Sequence, residues 1–163
     1  MGAGKSAVGR VLAERMNRVF FDIDEAVEAR SGMSISEIFA SLGEAAFRLA
    51  EADEIDMATD RKGLVVATGG GAFASAENRR RIHGSGGVSV FLDPSWGVIR
   101  RRLDGESSQR PKWEDAAQAR KLYKERLADY RRATIHIELD AAETPEAVAD
   151  RIVSAIAEIA CDF

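Results

Sequence analysis

A glycine-rich segment at the start of the chain has the residue types that bind phosphate. It reads Met1-Gly2-Ala3-Gly4-Lys5-Ser6, which matches the second half of a nucleotide phosphate-binding loop. Glycines let backbone N–H groups turn around an anion, a lysine supplies a point charge, and a serine hydroxyl is a ligand for Mg²⁺. We predict a phosphate site here, at the start of a helix. The alternative is a glycine-capped helix start with a solvated lysine.

Two carboxylates spaced by two follow a short apolar run, in the segment Phe21-Asp22-Ile23-Asp24. In an extended chain such residues point to the same side, where they can share a metal and a polyol. No Walker B aspartate ends the next apolar strand, so Asp22 is the candidate on the magnesium side. A helix-capping aspartate is the alternative for either residue.

A glycine triplet ends the segment Thr68-Gly69-Gly70-Gly71, directly after a buried apolar run. Three glycines in a row are costly in conformational entropy, so their presence favours a close backbone approach to a ligand. A plain turn is the alternative. Because ligands of parallel sheets bind beyond the carboxyl ends of the strands, this triplet and the two aspartates predict one site.

Arginines add the chemistry of anion recognition. Arg48 and Glu51 lie one helical turn apart, which suits an arginine fork for a substrate carboxylate, oriented by the glutamate. A solvated ion pair is the alternative. Arg110 lies in a polar segment, from which it could swing onto a transferring phosphate. Glu125-Arg126 and Tyr130-Arg131-Arg132 follow on a later predicted helix.

The elements that must position these residues alternate along the chain. Short apolar runs predict strands at 19–22, 63–68, 88–92 and 134–137. Helical patterns lie between them, near 4–16, 24–31, 34–41, 43–61, 75–83, 95–103, 115–131 and 144–160. Such alternation predicts an α/β fold with a central parallel sheet flanked by helices. The polar segment 104–115 is predicted to be a linker or a lid.

Length and composition bound the class of protein. A chain of 163 residues predicts a single domain, residues 1–163, and the lone Cys161 excludes a disulfide framework. No apolar run is long enough to span a membrane and no signal peptide is visible. The net charge of −4 argues against nucleic acid as a partner. We expect a cytoplasmic protein that acts on small molecules.

Several segments, in order, are similar to those of one family. They are the Gly-Lys-Ser loop, Phe-Phe-Asp-x-Asp, Gly32–Phe39, Gly43–Arg48, Gly69–Gly71, Arg110-Pro111, and Glu125-Arg126 ahead of Tyr130-Arg131. Together they resemble the shikimate kinases, small P-loop kinases related in fold to the nucleoside monophosphate kinases. The resemblance covers essentially the whole chain.

The resemblance implies a role for each matching residue. ATP phosphates would be held by the loop residues Gly2, Ala3, Gly4, Lys5, Ser6 and Ala7, and one Mg²⁺ per ATP by Ser6 and, through water, Asp22. Asp24 would accept the proton of the attacking 3-hydroxyl of shikimate. The shikimate carboxylate would be bound by Arg48 and Arg126, with Glu51, Gly69 and Gly71 in support and the Gly70 backbone against the substrate. Arg110 would belong to the lid that closes over ATP.

The resemblance also leaves points open. An arginine among Arg100, Arg101 and Arg102 would lie near adenine. The lid has Lys112-Trp113 where leucines are common, so its packing differs. The family's first, central strand has no counterpart before Met1, so we expect the gene product to start earlier. A monomer is implied. The alternatives are a gluconate or nucleoside monophosphate kinase type, or a non-catalytic sensing domain with this fold.

Overall fold

The strands form two parallel pairs. The computed structural model describes residues 3–95, 97–98, 116–140 and 143–161. Strand β1 (Val19–Asp22) pairs with β2 (Leu64–Ala67), with Val19 opposite Leu64. Strand β3 (Val90–Pro94) pairs with β4 (Ile135–Leu139), with Val90 opposite Ile135. The prediction of parallel strands is confirmed, but within the described residues they form two separate two-stranded sheets instead of one.

Helices connect and cover these strands. They are α1 (Lys5–Arg15), α2 (Ile23–Ser31), α3 (Ile35–Ser41), α4 (Gly43–Thr59), α5 (Ala76–Gly84), α6 (Ala116–Tyr130) and α7 (Pro145–Cys161). A short 3₁₀ turn, Ala72–Ala74, follows the glycine triplet. The predicted elements are confirmed to within a few residues, except that most of the helix predicted at 95–103 lies outside the described residues. Among those residues, no helix is both long and apolar enough to cross a membrane.

Local sequence signals explain where the helices begin. Ser34 caps α3 in a reciprocal capping box with Glu37, as the spacing predicts. Thr144 precedes α7, and its hydroxyl accepts a hydrogen bond from the Ala147 N–H at 3.3 Å. Pro145 opens that helix at the position where its missing N–H costs nothing.

The apolar side chains divide into two hydrophobic cores. The first core joins α1, β3, β4 and α7 through Ala3, Val8, Leu12, Leu92, Ile135, Ile137, Leu139, Val148, Ala149 and Ile152. The second core joins α2, α3, α4 and the 3₁₀ turn through Ile23, Val27, Ile38, Phe47, Ile55, Ala58 and Ala72. Each fully buried large side chain stabilises the fold by about 1.5–3 kcal/mol.

Strand β2 contacts both cores. Leu64 packs against the second core and Val65 against the first, because successive side chains of a strand point to opposite faces. The glycine triplet that follows β2 therefore leaves the strand where the two cores meet. This places it between the loop that precedes α1 and the helices of the second core.

Candidate active site

The phosphate-binding loop begins in the first core. Ala3 is buried there, and Gly4 adopts a left-handed conformation with φ of 80° immediately before α1. Lys5, Ser6 and Ala7 form the first turn of the helix, where backbone N–H groups have no intrahelical acceptor and the helix dipole is positive. These residues are therefore arranged to receive an anion. Gly2, the remaining predicted loop residue, lies outside the described residues.

Asp22 links this loop to the next predicted site residue. Its Oδ2 accepts a hydrogen bond from the Ser6 hydroxyl at 2.8 Å, and its Oδ1 accepts one from the Asp24 backbone N–H at 3.0 Å. Asp22 is the N-cap of α2, so the capping role is present, and the place of Asp22 on the magnesium side stays a prediction. The expectation that strand alternation orients both aspartates is wrong, because the helix already begins at Ile23 and places Asp24 in its first turn.

Asp24 and Glu51 both approach one glycine, Gly69. A Cβ atom on Gly69 would lie 2.8 Å from Glu51 Oε1 and 3.0 Å from Asp24 Oδ1. Glu51 is only 1% exposed. Burial raises the pKa of its carboxyl; the Arg48 charge and hydrogen bond oppose that rise, Asp24 adds to it and Arg126 opposes it. All of these groups therefore share one small, charged enclosure.

Arg48 is held by two carboxylates of its own helix. Its Nη1 donates to Glu51 Oε2 at 2.8 Å, and its Nη2 donates to Glu44 Oε1 at 3.1 Å. Burial lowers the pKa of Arg48, but Glu51 and Glu44 raise it by more, so the guanidinium is firmly charged. Because Glu51 is buried, this is not the solvated ion pair of the alternative interpretation. No role was predicted for Glu44, although it lies four residues before Arg48.

The rest of the glycine triplet lies against Arg48 and α6. A Cβ atom on Gly71 would lie 2.5 Å from Arg48 Cζ. The carbonyl oxygen of Gly70 accepts a hydrogen bond from the Tyr130 hydroxyl. The triplet is therefore in close contact with side chains on two helices, and the predicted approach of its backbone to a ligand stays a prediction.

Arg126 reaches this enclosure from α6. It hydrogen-bonds Tyr130, one helical turn further along, and burial raises the pKa of Tyr130 while Arg126 and Arg48 oppose the rise. Tyr130 was placed on a predicted helix from the sequence, but no role was predicted for it. The four-residue spacing from Arg126 was the available signal, because residues so spaced share a helix face.

Other predicted residues have different positions. Arg110, the lid at 104–115, Arg100, Arg101, Arg102 and Trp113 all lie outside the described residues. His83, for which no role is predicted, hydrogen-bonds Ser89 at 2.8 Å, and its ring centroid lies 6.1 Å from that of Phe73. Within the described part of the chain, no cluster of three or more histidine, cysteine or acidic residues could hold a metal ion.

Parallel strands, a Gly-Lys-Ser loop opening a helix, and an adjoining enclosure of carboxylates and arginines define a P-loop phosphotransferase. Comparison with known proteins is more specific, because a family model described as shikimate kinase matches residues 1–157. The chain therefore belongs to the shikimate kinase family and is an ATP-dependent phosphotransferase.

Individual relatives support this assignment over nearly the whole chain. A shikimate kinase of Sulfurihydrogenibium sp. is 37% identical over 156 residues, covering 96% of this chain and 93% of the relative. The solved structure of shikimate kinase from Acinetobacter baumannii in complex with shikimate is 35% identical, with a TM-score of 0.90. The match covers 97% of this chain and 89% of the Acinetobacter baumannii chain. The crystal structure of shikimate kinase from Aquifex aeolicus is 32% identical, with a TM-score of 0.86, covering 98% and 94% of the two chains.

Proposed function

We propose that this chain transfers the γ-phosphate of ATP to the 3-hydroxyl of shikimate, giving 3-phosphoshikimate and ADP. The observation that supports this is the grouping of Arg48, Arg126 and Asp24 around the glycine triplet, joined through Asp22 to the phosphate-binding loop. This arrangement suits a hydroxylated ring that carries one carboxylate. The link through Asp22 supports binding of the acceptor next to the donor phosphates.

The substrate carboxylate pairs with Arg48 and Arg126. Arg48 is pre-oriented by Glu51 and Glu44, so little side-chain entropy is lost when it binds an anion. Charge-assisted contacts of this kind are about twice as strong as neutral ones. The backbone at Gly70 lies against the substrate ring, because glycine leaves room for a close approach.

The chemical step is an in-line displacement at the γ-phosphorus. The 3-hydroxyl oxygen forms a bond to phosphorus as the bond to the β–γ bridging oxygen breaks, and that electron pair leaves with ADP. The hydroxyl proton passes to the Asp24 carboxylate. Lys5 and the first-turn amides of α1 stabilise charge on the phosphates, and Arg110, which lies outside the described residues, is assigned to ATP binding by the family resemblance.

The residues near the loop suit Mg²⁺. The Ser6 hydroxyl and the Asp22 carboxylate are hard oxygen donors that lie 2.8 Å apart beside the helix N-terminus. A site with so few protein ligands is typical of a magnesium ion that arrives with nucleotide phosphates. Such an ion neutralises charge on the β- and γ-phosphates when it is bound. We further propose that the protein works as a monomer and does not bind nucleic acid.

The test is to measure ADP release with shikimate and MgATP in the unsubstituted chain, Arg48→Ala and Arg126→Ala. We expect each variant to raise the KM for shikimate roughly ten- to a hundredfold and to leave the KM for ATP nearly unchanged. Arg81→Ala is the matched control, since Arg81 is 31% exposed like Arg48 but pairs with Asp56 and Glu77 instead. Equal losses for both substrates would mean that these arginines hold phosphate or stabilise the fold. A chain that does not phosphorylate shikimate would contradict the proposal.

A further inference from the structure

The 3₁₀ turn after the glycine triplet is held by side chains of α5. Asn78 Nδ2 donates to the Ala72 carbonyl at 3.1 Å. Arg79 Nη1 donates to the Phe73 carbonyl at 2.7 Å and to the Ala74 carbonyl at 2.9 Å. Every backbone carbonyl of the turn thus accepts a hydrogen bond from α5. The turn is fixed relative to that helix, and the glycine triplet joins directly onto it.

The same guanidinium also reaches α6. Arg79 Nη1 lies 3.1 Å from Asp129 Oδ1, and the Arg79 side chain is only 13% exposed. Asp129 is adjacent to Tyr130, whose hydroxyl donates to Gly70, and it follows Arg126 by three residues. Tyr130 therefore attaches α6 directly to Gly70, whereas Asp129 attaches it through Arg79 to the carbonyls of Phe73 and Ala74.

We infer that Arg79 and Asp129 are positioning residues for substrate binding. Their ion pair fixes the end of α6 against α5 and the turn that it holds, so that Arg126 stays close to Glu51 and Tyr130, the groups on which Arg48 also acts. Neither residue touches the substrate itself. This inference rests on the proposed function, because it assigns the two residues an effect on shikimate through Arg126.

The ion pair between Arg79 and Asp129 can hold α6 in place because it is partly buried. An exposed ion pair contributes little, because solvent screens it and two mobile side chains must be ordered. Arg79 is already ordered by two carbonyl acceptors, so its contact with Asp129 costs little additional entropy. Asp129 Oδ1 also lies 3.8 Å from Arg132 Nε. The Arg132 side chain is 69% exposed, so Arg132 is a weaker partner of Asp129 than Arg79 is.

Asp129→Asn is the decisive variant, because it weakens the ion pair and leaves the contacts of Arg79 with the turn intact. Calorimetric titration with shikimate should give a dissociation constant raised roughly five- to thirtyfold. The dissociation constant for ATP should change less than about twofold, the range of a surface substitution without a specific contact. Arg79→Met should show the same selectivity, with a larger loss of thermal stability because two carbonyls lose their donor. Arg81→Met and Arg132→Met are the controls, and neither should alter shikimate binding.

A double-mutant cycle separates positioning from general destabilisation. If the pair acts through Arg126, Asp129→Asn should have no further effect on kcat/KM for shikimate in an Arg126→Ala background. Full additivity there, or an unchanged shikimate affinity in Asp129→Asn alone, would overturn the inference and leave the proposed function standing. Absence of shikimate binding by the unsubstituted chain would overturn both.

Discussion

Gly71 passes across the guanidinium of Arg48 so closely that a Cβ atom would lie 2.5 Å from both Cζ and Nη2. Its backbone, with φ of −94° and ψ of −23°, is one that alanine adopts without strain. The requirement for glycine at this position is therefore one of space alone. The atoms that a Cβ atom would displace belong to the guanidinium group, at the far end of the Arg48 side chain.

Gly71→Ala should consequently impair binding more than folding. We expect the guanidinium to be displaced, with the KM for shikimate raised roughly ten- to a hundredfold, as for loss of a charge-assisted contact. The KM for ATP and the midpoint of thermal unfolding should change little. The control is Gly84→Ala at the end of α5, where a Cβ atom would meet nothing within 4 Å. A cooperative loss of stability in Gly71→Ala, with the KM unchanged, would contradict this steric argument.

Asp24→Asn should lower kcat much more than it raises the KM for shikimate. The amide keeps the shape of the side chain but cannot accept the proton of the attacking hydroxyl, and general-base assistance contributes about 10²–10⁴-fold. A loose phosphoryl-transfer transition state needs little deprotonation, which places the expected loss toward the small end of that range. Steady-state kinetics with shikimate and MgATP measure both constants, with Asp53→Asn as a control on an exposed carboxylate. A near-normal kcat with a raised KM would make Asp24 a residue that only positions the substrate.

Both tyrosines of the chain should ionise late. Burial, followed by the hydrogen bond to Asp93 and the charge of that residue, raises the pKa of Tyr123 to about 12. Burial also raises the pKa of Tyr130. In an ultraviolet titration, the folded protein should show little tyrosinate at the pH where the urea-unfolded chain ionises, near 10.

The same shifts predict how stability changes with alkaline pH. Because the folded pKa is raised, the contribution of Tyr123 to stability is complete below about 10 and is lost as the pH rises toward 12. Tyr123→Phe should therefore make the free energy of unfolding less dependent on pH in this window. Phe39→Leu, a substitution at a residue that packs against the second core, serves as a packing control. A folded protein whose tyrosines ionise together at about 10 would refute the buried contacts.

The capping box of α3 should give an acid-sensitive contribution to stability. Hydrogen bonds from the Ser34 side chain and backbone lower the pKa of Glu37 below its ordinary 4.5. A lowered folded pKa means that the contribution is present above 4.5 and is lost as the pH falls through the folded value. On acidification from neutral pH, the free energy of unfolding of Glu37→Gln should therefore fall less than that of the unsubstituted chain. Urea unfolding at several pH values measures this free energy. Glu158→Gln, which removes an exposed carboxylate from α7, is the control; equal acid sensitivity of both variants would rule out the effect.

Much of the fold and part of the site follow from local sequence. Strand and helix bounds came from apolar periodicity and caps, and the contact of Arg48 with Glu51 came from their spacing on one helix. These signals are local because each element satisfies its own backbone hydrogen bonds. The glycine triplet was informative for a similar reason, since its entropic cost requires a compensating contact.

The remaining features depend on contacts between distant parts of the chain. Periodicity places Tyr130 and Asp129 on a helix, but it does not tell which face of that helix meets a loop some sixty residues earlier. The contacts of Arg79 could not be predicted either, because nothing in its sequence neighbours signals an acceptor on α6. The orientation of Asp24 was predicted wrongly for another reason: the chain changes from strand to helix within one residue after Asp22, so Asp24 lies in a helical turn instead of an extended segment.

The two hydrophobic cores separate the supports of the two substrates. The phosphate-binding loop is anchored in the first core by Ala3 and Val8, whereas the helices that carry Asp24 and Arg48 are anchored in the second by Ile23 and Phe47. Residues of the second core can therefore be exchanged to reshape the pocket for the alcohol while the nucleotide half keeps its packing. For protein engineering, we expect a library of second-core substitutions, with Arg126 kept on α6, to change the specificity for the alcohol more than the affinity for the nucleotide.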